Sequence, residues 1–412
     1  MDSENLIRLE GDAQFMLHHL CRDIPNRRVG SPGNIAASDF IANNLTSNGF
    51  KIERQWFDCI DWIGGTAKLE VNSKRYTVYA GPYSLGCEVR GKLVILSSLM
   101  DLETLPIDSS IVLVCGDLVK EQLMPKNFPF YNPEEHQHIY RLLEQKKPLA
   151  ILAATTRNPE LAGGVYPYPW IEDGDFDIPS AYMTEEIGVE LSSYEGQISQ
   201  LYMETQRIPV RACNVIGRIG GGSGRRIVLT AHLDAKRDTP GALDNAAGVT
   251  TLLLLSELLV QAPDGLCIEL VFINGEDYYA ASGEIEYLRR NQGRLGDILL
   301  NINLDALGYR QDRTAYSLYE CPGTLAAGIS KSFECHPGLI EGSSWYQGDH
   351  MIFVQNQVPA LAITSEEFNF LSAEFTHTEQ DVPELVDPLK LVDTAAALKK
   401  LLYDLTENIN GN

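Results

Sequence analysis

From Arg226 to the C-terminus the chain alternates strand-length apolar runs with helix-length stretches, and the runs end in acids or lead to a histidine. Runs at 226–231, 267–273, 298–304 and 359–364 alternate with helical patterns at 245–261, 280–291 and 388–406. Strands and helices that alternate at this spacing imply right-handed crossovers and therefore a mostly parallel sheet. Such a sheet lines up the carboxyl ends of its strands along one edge, where open α/β folds place their sites. The expected fold class is α/β: a three-layer α/β/α catalytic domain around a mostly parallel mixed sheet, with a second, inserted domain.

That edge collects chemistry. His232 and Asp234 stand in T-A-H-L-D, Asp244 in L-D-N-A-A-G, Glu276 and Asp277 in I-N-G-E-D, Asp305 in N-L-D-A-L-G, and His377 in F-T-H-T-E-Q-D. Two imidazoles and three carboxylates around one crevice suit a pair of zinc-like ions, with Glu276 left over as a proton carrier. His232 and Asp234 are two apart on an extended segment and face the same side, so the carboxylate can take the second ring N–H of the imidazole. Asp244 has two readings: an N-cap for the helix behind it, or a carboxylate giving one oxygen to each of two metals. Gly248, one turn further on, lets another backbone come close. Adjacent acids at the end of a buried strand, as at Glu276 and Asp277, would be costly without cations beside them. Asp381, four residues past His377, is a candidate hydrogen-bond partner for that histidine.

Competing patterns are weaker. His136 and His138 sit in a charged stretch and read as part of a solvated helix. His350, in Q-G-D-H, competes with His377 for the role of second imidazole. The run Gly220–Gly224 lacks the Lys-Ser/Thr of a phosphate loop and reads as a hairpin turn between flanking strands. G-x-S-x-G and H-E-x-x-H are both absent, which argues against a serine-hydrolase elbow and the common single-zinc helix.

A length of 412 residues favours two domains. Between about 63 and 196 the texture changes to short strand-like runs with one helix near Glu134–Glu144, so the expected division is 1–62 with 197–412 for the catalytic domain and 63–196 for a β-rich insert. The formal net charge of −23 disfavours nucleic acid and anionic membrane as partners. Its eight cysteines are scattered without a C-x-x-C pair and several lie in apolar runs, which predicts buried free thiols. Met1–Glu10 has no basic start and apolar stretch, so the expected location is cytoplasmic. Within the insert, Tyr166–Trp170 reads either as an aromatic lid over the crevice or as a surface loop packed on its own domain.

These blocks together resemble the co-catalytic di-zinc aminopeptidase family, whose relatives include glutamate carboxypeptidases, glutaminyl cyclases and the transferrin receptor. The resemblance covers nearly the whole chain, from R-R-V-G-S-P-G-N at 27–34 through the ordered H-x-D, D-N-A-A-G, G-E-D, L-D and T-H-T blocks, with Gly348-Asp349-His350 before Val358. It implies that His232 and Asp305 hold one metal, Asp277 and His377 the other, with Asp244 bridging and Glu276 as general base. It implies two divalent ions, zinc with cobalt or manganese as alternatives, and a peptide substrate; a homo-oligomer is left open. Ile178–Met183 and the helix expected after it resemble a protease-associated domain. Many family members carry Glu-Glu where this chain has Glu276-Asp277, and many read S-D-H before His350, which leaves Asp349 and His350 a supporting or substrate-contact role. Arg310 or Arg313, near Asp305, would suit a carboxypeptidase or cyclase by gripping a carboxylate; a non-catalytic binding protein is the remaining alternative.

Overall fold

The computed structural model describes residues 3–24, 26–155, 168–221, 224–263 and 265–410, with side chains as far as Thr406. The chain forms two compact units, one of residues up to Cys59, Arg211–Tyr278 and Ser282 onward, the other of Ile60–Val210 with Tyr279–Ala281. No helix among the described residues is long and apolar enough to cross a membrane.

The first unit is built on an eight-stranded sheet. Its strands are β1 (Lys51–Ile63), β2 (Gln206–Gly220), β3 (Arg226–His232), β4 (Cys267–Ile273), β5 (Ile298–Leu304), β6 (Thr314–Tyr319), β7 (Leu339–Glu341) and β8 (Ala360–Ser365), in the order β1-β2-β4-β3-β5-β8-β6-β7. The central strands β4, β3, β5 and β8 are parallel, while β2 and β6 pair antiparallel to β4 and β8. The hairpin expected at Gly220–Gly224 does not form, because β4 lies between β2 and β3. A turn rich in glycine fixes the reversal but not the neighbour, and a partner about 40 residues downstream takes the place of the adjacent strand. Gly222 and Ser223 of that turn lie outside the described residues.

The two faces of the central strands differ. Ile227, Leu229 and Ala231 of β3, Ile268, Leu270 and Phe272 of β4, and Leu300, Ile302 and Leu304 of β5 all enter one apolar core. That core also holds residues of the helices Ser3–His18, Pro32–Ser47, Ala247–Leu258 and Pro388–Asn410. Ala247–Leu258 has an unbroken buried run from Ala247 to Ser256. A helix apolar on all sides belongs inside, and each buried leucine contributes about 1.5–3 kcal/mol relative to exposure. The opposite face carries buried Thr230, Glu269, Asn301 and Asn303. Thr230 donates to Asn303 at 2.7 Å and accepts from Asn301 at 3.2 Å. Continuing the two-residue period along this polar face reaches His232 and Asp234 from β3 and Asp305 from β5.

The second unit has its own eight-stranded sheet, in the order 74–76, 67–71, 198–203, 87–96, 110–114, 150–155, 180–184, 79–80. Strands 87–96, 110–114, 150–155 and 180–184 run parallel. Parallel neighbours need crossovers, and the helices Leu99–Thr104 and Glu134–Lys146 supply two of them, so the unit is more helical than its sequence texture implies. The lid reading of Tyr166–Trp170 is not supported where it can be followed. Trp170 is buried in this unit's core, and the Tyr168 hydroxyl accepts from the Gln122 amide at 3.1 Å. Tyr166 and Pro167 lie outside the described residues. His136 is also buried rather than solvated, accepting from the Met124 amide and facing Glu121, while His138 faces Glu103.

Candidate metal centre

Asp244 lies where the sequence does not continue as a regular helix. Residues Ala242–Ala246 form a single π-type turn in which Asp244 and Asn245 have non-helical backbone angles, joined by a cis peptide. Asn245 takes the capping role, its Oδ1 accepting from the Gly248 amide at 3.0 Å while its Nδ2 donates to the Leu304 carbonyl at 2.8 Å. The N-cap expected of Asp244 is therefore made by its neighbour, and the Asp244 carboxylate is free to face the crevice.

Its two oxygens point to different histidines. Oδ1 is 3.0 Å from His232 Nε2 and Oδ2 is 3.0 Å from His377 Nε2. On the first side Asp305 Oδ1 lies 3.5 Å from His232 Nε2, and on the second Asp277 Oδ1 lies 2.7 Å from His377 Nε2. Donor atoms of His232, Asp244 and Asp277 fall within 4.8 Å of one another. The five predicted ligands thus converge as two half-sets around one shared carboxylate. His350 does not take part in these contacts. Its Nε2 pairs with the Trp345 carbonyl at 3.0 Å between the Tyr319 and Trp345 rings.

A cation fits this arrangement. His232 is 1 % exposed, and although carboxylate oxygens crowd its Nε2, neither ring nitrogen makes a well-aligned hydrogen bond; Asp277 Oδ2 is likewise buried without one. Buried polar groups are satisfied as a rule, so orphans converging on one point call for a bound species. Imidazole nitrogen with carboxylate oxygen is a donor set suited to zinc and its first-row neighbours.

The surrounding scaffold is mostly backbone held by buried side chains. Asp234 is 3.7 Å from His232 Nδ1, beyond a hydrogen bond, and instead accepts from the amides of Gly275 at 2.7 Å and Asp277 at 3.1 Å. It braces the loop that presents Glu276 and Asp277. Asn274, at the root of that loop, exchanges reciprocal amide hydrogen bonds with Asn34, and its own N–H donates to Asn214. Asp381 does not pair with the His377 ring as expected. It accepts from the amides of Leu243 at 2.7 Å and Asp244 at 3.1 Å. Arg310 and Arg313 are engaged elsewhere, Arg310 with the carbonyls of Glu384 and Val386 and Arg313 with Glu366.

Three acids without a place among the ligands share the region. Burial first, and then the carboxylates of Asp277, Asp305 and Asp349, push the Glu276 carboxyl well above its usual range against the pull of His232. Glu284 is raised by burial and then by Glu276, and Asp349 by burial and then by Glu284. Both Asp349 oxygens and Glu284 Oε2 are buried without hydrogen-bond partners. Sequence reasoning passed over Glu284. The available signal was its spacing three residues before Tyr287, which puts a charge on the buried face of Ser282–Arg290.

Residues 214–402 match the profile of Peptidase family M28. The probable lipoprotein aminopeptidase LpqL of Mycobacterium tuberculosis is 26% identical over 327 residues, covering 73% of this chain; the aligned stretch is 59% of that protein's length. Among solved structures, a zinc aminopeptidase from Bacillus subtilis superposes with a TM-score of 0.74 at 17% identity, over 96% of this chain and 94% of that one. An aminopeptidase from Aneurinibacillus sp. strain AM-1 gives 0.72 at 17% identity, over 96% and 93%. Both share the α/β fold described above. The stretch that resembles peptidase family M28, residues 214–402, contains His232, Asp244, Asp277, Asp305 and His377.

Proposed function

We propose that this chain is a zinc-dependent aminopeptidase that hydrolyses the N-terminal peptide bond of peptides. The observation that carries the proposal is the Asp244 carboxylate, with one oxygen turned to each of two imidazoles and a further acid beside each. On this reading His232 and Asp305 hold one divalent ion, Asp277 and His377 a second, and Asp244 both. When bound, such a pair supplies Lewis acidity toward a scissile carbonyl and makes water easier to deprotonate.

The rest of the chemistry falls to the chain's own groups. Glu276 follows Gly275 on the loop braced by Asp234, and its raised carboxyl can accept a proton from water and return it to the departing amine. Asp277 is a methylene shorter than the usual glutamate, so its reach depends on how Asp234 holds its amide. Arg310 and Arg313, already committed to other partners, give no support to a carboxylate grip, which favours the aminopeptidase reading over the carboxypeptidase one.

We also read the inserted unit as a protease-associated domain, on the strand Ser180–Thr184 and the helix Glu185–Ser192 that follow Ile178-Pro179. We also propose a reducing, cytoplasmic setting, in which the free thiols of Cys21, Cys115 and Cys213 would persist. The decisive experiment presents unblocked and N-acetylated aminoacyl substrates to chelator-stripped protein reloaded with zinc, cobalt or manganese. Metal-dependent turnover of the unblocked series alone is expected; equal turnover of both series, or turnover in chelator, would reject the proposal.

A further inference from the structure

Arg27 is 1 % exposed, and its guanidinium donates to backbone carbonyls: Leu20 at 2.6 Å, Gly241 at 2.8 Å, Pro240 at 2.9 Å and Leu233 at 3.1 Å. A buried cation answered by carbonyls is an expensive way to tie down a loop, and it needs a structural return. The loop in question begins at Leu233, immediately after His232, and ends at Gly241, three residues before Asp244. Asp381 is the counterpart. It is fully buried, and its two oxygens each accept one amide N–H, from Leu243 and Asp244. Its own carbonyl accepts from Ala242 at 3.1 Å, and its amide donates to Thr378, next to His377. A buried guanidinium thus holds the carbonyls on one side of the turn, and the two oxygens of a buried carboxyl group hold the amides on the other. Gly241, at φ +60°, leaves the space for this. A Cβ there would lie 2.8 Å from Arg27 Nη2 and 2.5 Å from the Asp244 carbonyl oxygen.

We propose that Arg27 and Asp381 are positioning residues that clamp the 233–244 loop, one through its carbonyls and the other through its amides, and so set where the Asp244 carboxylate stands relative to His232 and His377. The inference rests on Asp244 bridging two ions. Arg27 acts through four carbonyls in fork geometry, which the single ammonium of lysine cannot reproduce. Asp381 acts through two acceptor oxygens, and an asparagine keeps only one while turning an NH₂ toward a backbone N–H.

The test titrates cobalt(II) into the stripped full-length chain and its Arg27→Lys and Asp381→Asn variants, reading stoichiometry, affinity and the visible ligand-field spectrum. Circular dichroism and denaturant midpoints of the stripped proteins check folding. Folded variants are expected to bind cobalt about ten- to a hundredfold more weakly, with an altered spectrum. Either folded variant that takes two ions with wild-type affinity and spectrum overturns the clamp. If wild type itself binds no ion pair, the bridging reading fails first, which separates the two failures. Hydrogen exchange on stripped wild type needs no variant. The Leu243 and Asp244 amides should be strongly protected, and exchange at the rate of an open loop would overturn the clamp even if neither variant folds.

Discussion

Glu276, next to the candidate ligand Asp277, and the buried His350 differ in duty. Glu276 sits on the braced loop with a carboxyl raised by burial and neighbouring acids, and its replacement isolates proton transfer from metal binding. Glu276→Gln is expected to lower kcat about 10²–10⁴-fold while retaining two equivalents of zinc by atomic absorption. Wild-type kcat in that variant would remove Glu276 from the mechanism. His350 is held neutral instead, its imidazole lowered to about 4 by burial. An ordinary histidine in the unfolded chain titrates near pH 6.5. Between these values the unfolded state binds the proton and the folded state does not, so stability is present above pH 6.5 and is lost as pH falls through 4. The shift amounts to about 3 kcal/mol. Urea unfolding in chelator should show His350→Gln losing less stability than wild type between pH 7 and 4, by up to about that amount. Parallel losses would show that His350 is not the group that titrates.

At the scale of elements, the geometry depends on close approaches that a sequence reveals only in part. A Cβ on Gly248 would lie 2.4 Å from Asn245 Oδ1 and 2.6 Å from the Leu304 carbonyl oxygen. The first turn of helix Ala247–Leu258 can meet the end of β5 only because that position has no side chain. Gly248→Ala is expected to cost about 1–3 kcal/mol by overpacking, read as a lower denaturant midpoint at unchanged m-value. An unchanged midpoint would mean the contact relaxes freely. This glycine was legible beforehand, as were β4 and β5, because a continuous apolar run leaves few alternatives to a buried strand. The candidate ligands His232, Asp277 and Asp305 were legible too, since they stand at or just beyond the ends of such runs, whereas Asp244 and His377 lie about a dozen residues past β3 and β8. What escaped depended on partners distant in the chain. The strand beside β2 is β4, not β3. The cap at the Asp244 turn came from Asn245 because a π-type turn has no periodic signature. Helix Ser3–His18 hides its buried stripe of Leu9, Ala13, Met16 and Leu17 among charged residues. Asp381 found backbone amides across the crevice rather than the imidazole four residues before it.

For the whole molecule, the excess of acid predicts that a cation held at the proposed centre would stabilise the fold. The chain carries a formal net charge of −23, and Asp234, Asp244, Asp277, Asp305 and Asp349 all lie buried or nearly so around one crevice. A divalent cation could stabilise such a protein in two ways: diffusely, by screening an acidic surface, or locally, by occupying the centre. The two separate by metal identity. Diffuse screening depends on charge and ionic strength, so magnesium and zinc would act alike. Local binding through two imidazoles favours zinc, because magnesium prefers oxygen donors and keeps much of its water. With free zinc at a thousand times its Kd, each ion adds about 4 kcal/mol to the folded state. Melting curves at constant ionic strength should therefore show zinc raising the midpoint of stripped protein by roughly 10 °C. Magnesium at the same concentration should move it little, and Asp244→Asn should lose most of the zinc response, since the carboxylate shared by both half-sets is gone. A magnesium shift as large as that of zinc, or a full zinc shift in Asp244→Asn, would place the cation effect on the surface and take away the metal centre as the source of stability.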